Sequence, residues 1–400
     1  MDILVVTNSC SDKTYQQIQQ KRKRTIVDPQ QKFFRLMIDG LAANEHSSIT
    51  AVSALPVSAS TVDQYIFHGT EEKTETGVNY YYLPFLNGKI SRYLSLIWSS
   101  GHYAKKWCRE HVGKDAWVIV DSLVPVISIP TRRAAQKRGI KVAAVVTDIP
   151  TLCTNMKGRK ENIIKRTFLS IYQKISDKDL QAYDAYIPLT ESIDDVVNVN
   201  KKPHIVIEGF ADSKDTEISD VHENYIMYAG GVYEKYGVKA LVDAFVSLNR
   251  QDVMLYIFGE GPYVDELKKV QALHPNVRYM GCVSPEEAVA YEKRALLLVN
   301  PRPTDEEFAK YSFPSKTMEY LLSGTAVVST RLPGIPEEYF EYMYGFSGYS
   351  EDSLRDGLIH LLGLPKGEIV SKGNNGHDFA LNKKSNIAMA QRMISFLESN

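Results

Sequence analysis

The sequence predicts an α/β protein built from two doubly wound parallel sheets. Short apolar runs rich in β-branched residues recur along the 400 residues, and segments with helical spacing separate them. Near-continuous apolar strands that alternate with helices are typical of parallel sheets covered on both faces. The pattern occurs on both sides of a polar stretch at 211–224, so we expect two domains rather than one.

The predicted strands set the domain boundaries. In the first half they cover 3–6, 49–55, 117–122, 142–148, 185–190 and 204–210, and in the second half 225–231, 253–259, 277–281, 295–300 and 326–330. The final residues place apolar side chains at helical spacing, at Ile387, Ala390, Met393, Ile394 and Leu397. We therefore predict an N-terminal domain at 1–212, a C-terminal domain at 223–380, and a C-terminal helix at 381–400 that could pack back on the N-terminal domain.

The composition favours a globular protein of the cytoplasm. Hydrophobic residues make up 44% and charged residues 24% of the chain, which is ordinary for folded domains. The opening MDILVVTNSC predicts a buried strand rather than a signal peptide. The sequence contains no run of 18 apolar residues, so no membrane span is predicted. The four cysteines form no C-x-x-C pair, which argues against a zinc site or a disulfide framework; they are Cys10, Cys108, Cys153 and Cys282.

Charge is distributed unevenly along the chain. Residues 1–212 contain 28 Lys and Arg against 22 Asp and Glu, a net charge of +6, whereas the remainder carries −7. Basic clusters lie at 21–24, 157–160 and 165–166. This asymmetry predicts an anionic partner for the first half, with ordinary solvated surface as the alternative. The stretch 80–107 mixes aromatic, aliphatic and basic residues in a way suited to a membrane surface, although part of it also fits a core helix.

Two glycine-containing loops follow strands of the second half, where ligands of doubly wound sheets bind. In the first, Gly230 and Gly231 precede a helix predicted to start near Val238, so backbone could approach a phosphate closely, or simply make a tight turn. In the second, Gly259 and Gly261 are followed by Val264 where a dinucleotide fingerprint needs its third glycine. A nicotinamide cofactor is therefore not expected.

The segment 311–330, YSFPSKTMEYLLSGTAVVST, carries the strongest motif. Phe313 and Pro314 are predicted to open a helix, with proline in the first turn, which would leave the amides of Ser315 and Lys316 free for a phosphate.

One turn later on the same face, Glu319 could accept hydrogen bonds from both hydroxyls of a ribose. The alternative is a surface pair between Lys316 and Glu319. In the following loop, Gly334 could lie close to a ligand, and Glu337 and Glu338 begin a predicted helix, where acidic residues also serve as caps.

Taken in order, these segments resemble the C-terminal domain of retaining family-4 glycosyltransferases (glycosyl transferases group 1) of the GT-B fold. The resemblance spans Tyr225 to about Phe346 and comprises the glycine turn, F-G-E-G-P, V-R-Y-M-G-C-V-S and F-P-S-K-x-x-E-Y-x-x-S-G-x-x-V-V-S-T. The first half resembles the acceptor domain of the family more loosely. The resemblance implies two Rossmann-like domains facing a cleft.

The resemblance also implies residue roles. Glu319 would bind the donor ribose. The family often has a glutamate where Tyr311 stands and an arginine where Gly231 stands; the F-P-S-K branch shares both changes, which leaves Lys235 and Lys316 for the diphosphate. Asp148, in Thr147-Asp148-Ile149-Pro150, corresponds to the aspartate of the family's His-Asp-x-x-P. The implied donor-binding residues are Gly230, Gly231, Gly259, Val283, Tyr311, Phe313, Pro314, Ser315, Glu319, Gly334 and Glu337.

The expected activity is transfer of a sugar from a nucleotide-sugar donor to a hydroxyl acceptor with retention, without an enzyme nucleophile, cofactor or metal. The D-x-D at 177–179 is interpreted as a polar helix face. The charge asymmetry favours a lipid-diphosphate-linked sugar acceptor in bacterial surface polysaccharide or glycolipid synthesis, with peripheral contact to the inner face of the plasma membrane; no nucleic-acid partner is expected. The alternatives are an epimerase or phosphorylase on the same fold, or a non-catalytic binding protein. None of the nine histidines lies in the four motifs, which weighs against an epimerase.

Overall fold

The computed structural model describes residues 1–23, 29–45, 47–149 and 178–400. The chain divides into two compact units. The first contains Met1–Phe210 together with Asn386–Asn400, and the second contains Ala211–Ser385. Of the predicted C-terminal segment 381–400, the residues up to Ser385 therefore belong to the second unit and the others to the first.

The first unit is a seven-stranded sheet with helices packed on it. Its strands are β1 Asp2–Thr7, β2 Ser48–Ser53, β3 Ile66–Phe67, β4 Thr70–Lys73, β5 Asn79–Tyr82, β6 Phe85–Leu86, β7 Ala116–Asp121, β8 Lys141–Val146 and β9 Ala185–Pro188. Its helices are α1 Asp12–Lys21, α2 Pro29–Ala42, α3 Ser91–Glu110, α4 Pro125–Gln136, α5 Glu191–Val197 and α12 Asn386–Glu398. The order in the sheet is β4-β5-β2-β1-β7-β8-β9, while β3 and β6 form a separate antiparallel pair.

Two details of this sheet differ from the sequence prediction. Its edge strand β4 pairs antiparallel with β5, while the other pairs are parallel. The predicted strand at 204–210 is reduced to an isolated bridge between Tyr186 and His204. Its backbone does run beside β9, since the amides of Ile205 and Ile207 donate to the carbonyls of Tyr186 and Pro188. Pro188 has no N–H to return a hydrogen bond, and a regular ladder therefore cannot form.

Within the predicted C-terminal segment, residues Asn386–Glu398 form α12, which packs against α2. Ala390, Met393, Ile394 and Leu397 are buried as their spacing predicted, whereas Ile387 is 48% exposed. Met389 is buried in its place, so the apolar face is rotated from the predicted one at the start of the helix.

The second unit is a six-stranded, entirely parallel sheet in the order β12-β11-β10-β13-β14-β15. Its strands are β10 Tyr225–Ala229, β11 Met254–Phe258, β12 Val277–Gly281, β13 Leu297–Asn300, β14 Ala326–Thr330 and β15 Tyr344–Phe346. Its helices are α6 Val238–Ser247, α7 Val264–Leu273, α8 Pro285–Arg294, α9 Lys316–Leu322, α10 Glu351–Leu362 and α11 Lys366–Lys383. The five predicted strands are present, and β15 is an addition that the sequence did not reveal.

Both faces of this sheet are covered, as a doubly wound fold requires. Along β10, Ile226 and Tyr228 belong to one hydrophobic core, and the alternate residues Tyr225, Met227 and Ala229 belong to another. Each core is completed by helices on its own side. Within the described ranges, no helix has both the length and the apolar character needed to cross a bilayer.

The loops that follow β10 and β11 contact each other directly through backbone atoms. The Gly230 amide donates to the Phe258 carbonyl at 3.1 Å, and the Val232 amide donates to the Glu260 carbonyl at 2.8 Å. Gly259 has a φ of +121°, and a Cβ atom there would lie 1.8 Å from the Gly230 carbonyl oxygen. Only glycine satisfies both constraints.

Gly259→Ala is therefore expected to lower the free energy of unfolding by about 2–4 kcal/mol, because it combines backbone strain with overlap. The matched control is Gly367→Ala in α11, where an added Cβ meets no atom within 4 Å and the expected change is less than about 1 kcal/mol. Urea denaturation of both variants measures the difference. Equal stability of the two variants would show that the loop relaxes freely.

Candidate functional site

The candidate site is built at the carboxyl-end edge of the second sheet, where the loops after β10, β11, β13 and β14 lie. Helix α9 is anchored to the end of β10 by Tyr320, whose hydroxyl accepts from the Ala229 amide at 2.8 Å and donates to the Ala229 carbonyl at 3.2 Å. The structure therefore places the F-P-S-K segment beside the glycine turn at Gly230 and Gly231.

Helix α9 begins later than the sequence predicted. It starts at Lys316 and has seven residues, so Pro314 precedes the helix instead of occupying its first turn. The Phe313 ring is buried against Tyr339, with 5.4 Å between ring centroids. A Cβ at Gly334 would lie 2.2 Å from the Ser312 carbonyl oxygen, so the loop after β14 packs directly on this segment. These contacts hold residues 312–314 outside the helix.

Lys316 joins two carboxylates. Its Nζ lies 2.6 Å from Oε1 of Glu319 and 3.2 Å from Oε1 of Glu292. Glu292 is on α8 and its side chain is 0% exposed. Burial lowers the pKa of Lys316, but Glu292 and Glu319 outweigh burial and raise that pKa above its usual value. The lysine is therefore firmly protonated, and it fixes the position of Glu319.

Glu292 was not predicted from the sequence. No motif contains it, but it lies four residues after Ala288, and both side chains are buried on the same face of α8. A carboxylate on the apolar face of a helix requires a cation, and Lys316 supplies one. The Lys316–Glu319 pair is consequently more than the surface pair considered as the alternative, because it extends to a buried acid.

Lys235 and Arg302 lie on the side of the glycine turn. Lys235 is exposed, and its Nζ is 5.2 Å from the centroid of the Tyr236 ring. Arg302, which follows β13 and was not predicted, places its Cζ 4.9 Å from the same centroid and 5.6 Å from that of Phe308. Burial lowers the pKa of Arg302 from its usual value. The sequence signal for it is an arginine directly after a parallel strand, in N-P-R-P.

The remaining donor-binding candidates are less central. Val283 packs half-buried against one core, and Tyr311 ends a 3₁₀ turn at Glu307–Lys310. Glu337 is 80% exposed and pairs with Arg331. It begins a 3₁₀ helix, Glu337–Glu341, rather than the predicted α-helix. Its neighbour Glu338 pairs at 2.6 Å with the buried Lys384.

In the first unit, Asp148 follows β8, and its Oδ1 accepts a hydrogen bond from the Ile149 amide at 2.7 Å. Pro150, Cys153, Asp177 and the basic clusters at 157–160 and 165–166 lie outside the described residues. Asp179 of the D-x-D pairs with Arg132 and accepts from the Tyr183 hydroxyl, which is a structural role. Over the described part of the chain, no group of three or more acidic, His or Cys side chains is arranged to hold a metal ion.

The second unit is similar in sequence to a known protein family. Residues 223–363, most of the second unit, match the family model for glycosyl transferases group 1. No curated protein matches the chain in sequence.

Solved structures match the whole chain. A sucrose-phosphate synthase from Thermosynechococcus elongatus has a TM-score of 0.63 and 12% identity, covering 100% of this chain and 99% of that one. An E. coli structure described as trehalose-6-phosphate bound with UDP-2-fluoro glucose has a TM-score of 0.64 and 10% identity, covering 100% and 99%. The Anabaena protein HepE in complex with UDP has a TM-score of 0.60 and 11% identity, covering 100% of both chains. At these identities the similarity establishes the fold, and the predicted GT-B fold with two Rossmann-like domains is confirmed.

The buried ion pair generates a stability prediction. Lys316→Met is expected to lower the free energy of unfolding by about 3–5 kcal/mol, because it leaves Glu292 buried without its cation. Adding Glu292→Gln to that variant should restore much of the loss. The control Lys269→Met removes a lysine paired with Glu266 at the same helical spacing but on the surface, and should leave the free energy of unfolding nearly unchanged. Urea denaturation tests the series. Equal losses for Lys316→Met and Lys269→Met would refute the importance of the buried pair.

Proposed function

We propose that this protein is a glycosyltransferase whose second unit holds a nucleotide-sugar donor, and that it transfers the sugar to a hydroxyl acceptor with retention. The single observation that carries the proposal is Glu319, a carboxylate held by Lys316 in the helix that docks on the glycine turn. A fixed carboxylate can accept both ribose hydroxyls without losing further side-chain entropy. The match to glycosyl transferases group 1 over 223–363 and the UDP and UDP-2-fluoro glucose in two neighbouring structures support a nucleotide-linked donor.

The chemistry we propose requires charge stabilisation more than covalent catalysis. Cleavage of the anomeric bond leaves an oxocarbenium-like centre and a departing diphosphate. Lys235 beside the glycine turn can stabilise the charge on that leaving group. Lys316 contributes its field from further within the site, since it already pairs with two carboxylates. In a retaining mechanism the donor phosphate helps to deprotonate the acceptor hydroxyl. Asp148 is proposed to face the acceptor, as the resemblance implies.

Glu319→Ala is expected to weaken donor binding by about 1–3 kcal/mol, because charge-assisted hydrogen bonds to the ribose are lost. The control is Glu266→Ala, which removes a glutamate from a Lys–Glu pair of the same spacing on α7. Isothermal titration with UDP-, GDP- and dTDP-sugars measures the effect and identifies the base. A folded Glu319→Ala variant with wild-type affinity would remove the ribose assignment.

The same titrations are made in EDTA, because we propose that no metal participates. Binding that appears only with Mg²⁺ or Mn²⁺ would contradict this. Following the fate of the bound donor, whether transferred, hydrolysed or unchanged, separates a transferase from a protein that only binds the sugar nucleotide.

We further propose that the acceptor is linked to a membrane lipid, as in bacterial surface polysaccharide or glycolipid synthesis. The supporting feature is an exposed apolar surface on the first unit. It comprises the outward side of α3 and the adjoining β3–β6 pair, and we name it the α3 surface. Its large exposed side chains are Tyr65, Ile66, Leu86, Ile90, Tyr93, Leu94, Ile97 and Trp98.

Local contacts make the α3 surface continuous. Leu86 pairs with Ile66, and its amide donates to the Ser95 hydroxyl of α3 at 3.1 Å. Within α3, the exposed Leu94 and Trp98 follow Ile90 at intervals of four residues, as one helical face requires. Contiguous exposed apolar side chains of this size mark an interaction site.

The charges around the α3 surface favour an anionic bilayer as its partner. Residues 76–109 contain five Lys and Arg and no Asp or Glu. Lys89, Lys105 and Lys106 are exposed, and each basic residue close to an anionic leaflet contributes about 1 kcal/mol. The α3 surface also exposes Trp98, Tyr65 and Tyr93, and Trp and Tyr are the residues preferred at membrane interfaces.

Wild-type protein is therefore expected to co-sediment with phosphatidylglycerol-containing vesicles at low salt, and less at high salt. Leu94→Glu should reduce the bound fraction severalfold, since it places a carboxylate in the apolar face. The control Leu273→Glu changes another exposed leucine, 78% exposed against 64% for Leu94, on α7 of the second unit and should bind as wild type. Vesicle binding that is absent at low salt, or indifferent to lipid charge, would favour a soluble acceptor. A dimer that Leu94→Glu dissociates would instead assign the α3 surface to self-association.

A further inference from the structure

Arg302 occupies a position that packing, not ion pairing, determines. It follows β13 at the carboxyl-end edge of the second sheet, and the carbonyl of the preceding Pro301 lies against Gly237, where a Cβ would be 2.0 Å from its oxygen. The backbone carbonyl of Arg302 accepts a hydrogen bond from the Thr330 hydroxyl at 2.6 Å. The loop after β10 and the end of β14 therefore hold the backbone at Arg302 in place.

The guanidinium of Arg302 has aromatic neighbours but no counter-charge. It lies over the rings of Tyr236 and Phe308, and its Nε is buried without a hydrogen-bond partner. Among the residues that the structure describes, no carboxylate pairs with it. Tyr228 and Tyr236 are the titratable groups that act on its charge. Burial holds the pKa of Tyr228 well above its usual range, so that phenol is neutral.

A half-buried arginine that nothing neutralises is unfavourable in the protein alone. Arginine stays protonated, and burying its charge is costly unless an anion or several hydrogen bonds compensate. The two carboxylates of the candidate site, Glu292 and Glu319, both form ion pairs with Lys316. An arrangement of this kind is expected where the compensating anion arrives as a ligand.

Lys235 shares the same aromatic ring. Its Nζ lies 5.2 Å from the Tyr236 centroid, and the Arg302 Cζ lies 4.9 Å from it. Lys235 also forms no ion pair with a carboxylate in the described ranges. Two cations that contact one ring, without acidic partners in the described ranges, concentrate positive potential beside the glycine turn.

We infer that Arg302, together with Lys235, forms a binding site for the diphosphate group of the donor, with Tyr236 as the spacer that sets the position of both cations. This inference rests on the proposed function and adds to it the residue that holds the leaving group. The planar guanidinium can give two parallel hydrogen bonds to phosphate oxygens, whereas the lysine supplies a point charge.

The test uses the full chain and two probes, inorganic pyrophosphate and the nucleoside diphosphates UDP, GDP and dTDP, in isothermal titration at low ionic strength. Arg302→Gln is expected to weaken both pyrophosphate and the preferred nucleotide by about ten- to hundredfold, as loss of charge-assisted hydrogen bonds predicts. Arg302→Lys should lie between Arg302→Gln and wild type, because it keeps the charge and loses the planar fork.

The matched control is Arg250→Gln. It removes the same charge from the opposite edge of the sheet, where Arg250 precedes β11 and pairs with Asp252, and it should bind both probes as wild type. Thermal unfolding without ligand gives a second readout. Arg302→Gln should unfold at or above the wild-type temperature, because a partly buried charge without a counter-charge is removed; a residue needed for packing alone would show a clear loss there.

The outcomes distinguish this inference from the proposed function. Wild-type affinity of Arg302→Gln for both probes overturns the role of Arg302 and leaves the glycosyltransferase proposal intact. If Arg302→Gln is destabilised and Arg302→Lys binds both probes as wild type does, the arginine serves packing, and this result also overturns the inference. Binding of pyrophosphate but of no nucleotide by the wild type supports the anion site and contradicts the proposed donor. Binding of neither probe overturns both.

Discussion

Close contact between backbone segments at the carboxyl-end edge of the second sheet is the constraint on which the candidate site depends. Gly259 lies against the Gly230 carbonyl, and Gly237 lies against the Pro301 carbonyl, both at positive φ. No side chain separates these segments, so the loop after β10 is fixed against the loops after β11 and β13 together. Lys235 belongs to the first of these loops and Arg302 to the last. The backbone positions from which the two side chains extend are consequently set by close packing.

The cations of the site divide into two kinds. Lys316 is committed to the protein, since it neutralises the buried Glu292 and orients Glu319. Lys235 and Arg302 rest on aromatic rings and leave their charge available. A carboxylate suits ribose hydroxyls and a free cation suits phosphate, so the two kinds would suit the ribose and the diphosphate of the ligand that we propose. The sequence motif alone could not distinguish the two kinds of cation, because it does not show whether a buried carboxylate lies next to a given lysine.

The sequence predicted what depends on local pattern. Runs of apolar residues identified five of the six strands of the second sheet, and helical spacing identified α12. Prediction failed where the outcome depends on a neighbour: 204–210 lacks a regular ladder because Pro188 on the adjacent strand has no amide hydrogen. Helix α9 begins after Pro314 because Phe313 is held in the core by Tyr339. Glu292 and Arg302 were missed for a related reason. The role of each depends on a contact with a residue distant in the sequence. Glu292 contacts Lys316, and Arg302 contacts Tyr236.

The net charge of the second half raises an apparent conflict, because residues 213–400 carry −7 while the proposed ligand is an anion. The conflict disappears when distance and screening are considered. At physiological ionic strength the Debye length is about 8 Å, so exposed carboxylates elsewhere on the unit act weakly on a bound phosphate. Partly buried charges within hydrogen-bond reach are screened much less. Arg294 pairs with Glu223, Arg250 with Asp252 and Lys269 with Glu266 at the surface; these pairs neutralise the carboxylates locally but leave the net excess of −7 unchanged. Among the described residues no carboxylate pairs with Arg302, and for the anion site that we propose this local arrangement matters more than the total charge of the half.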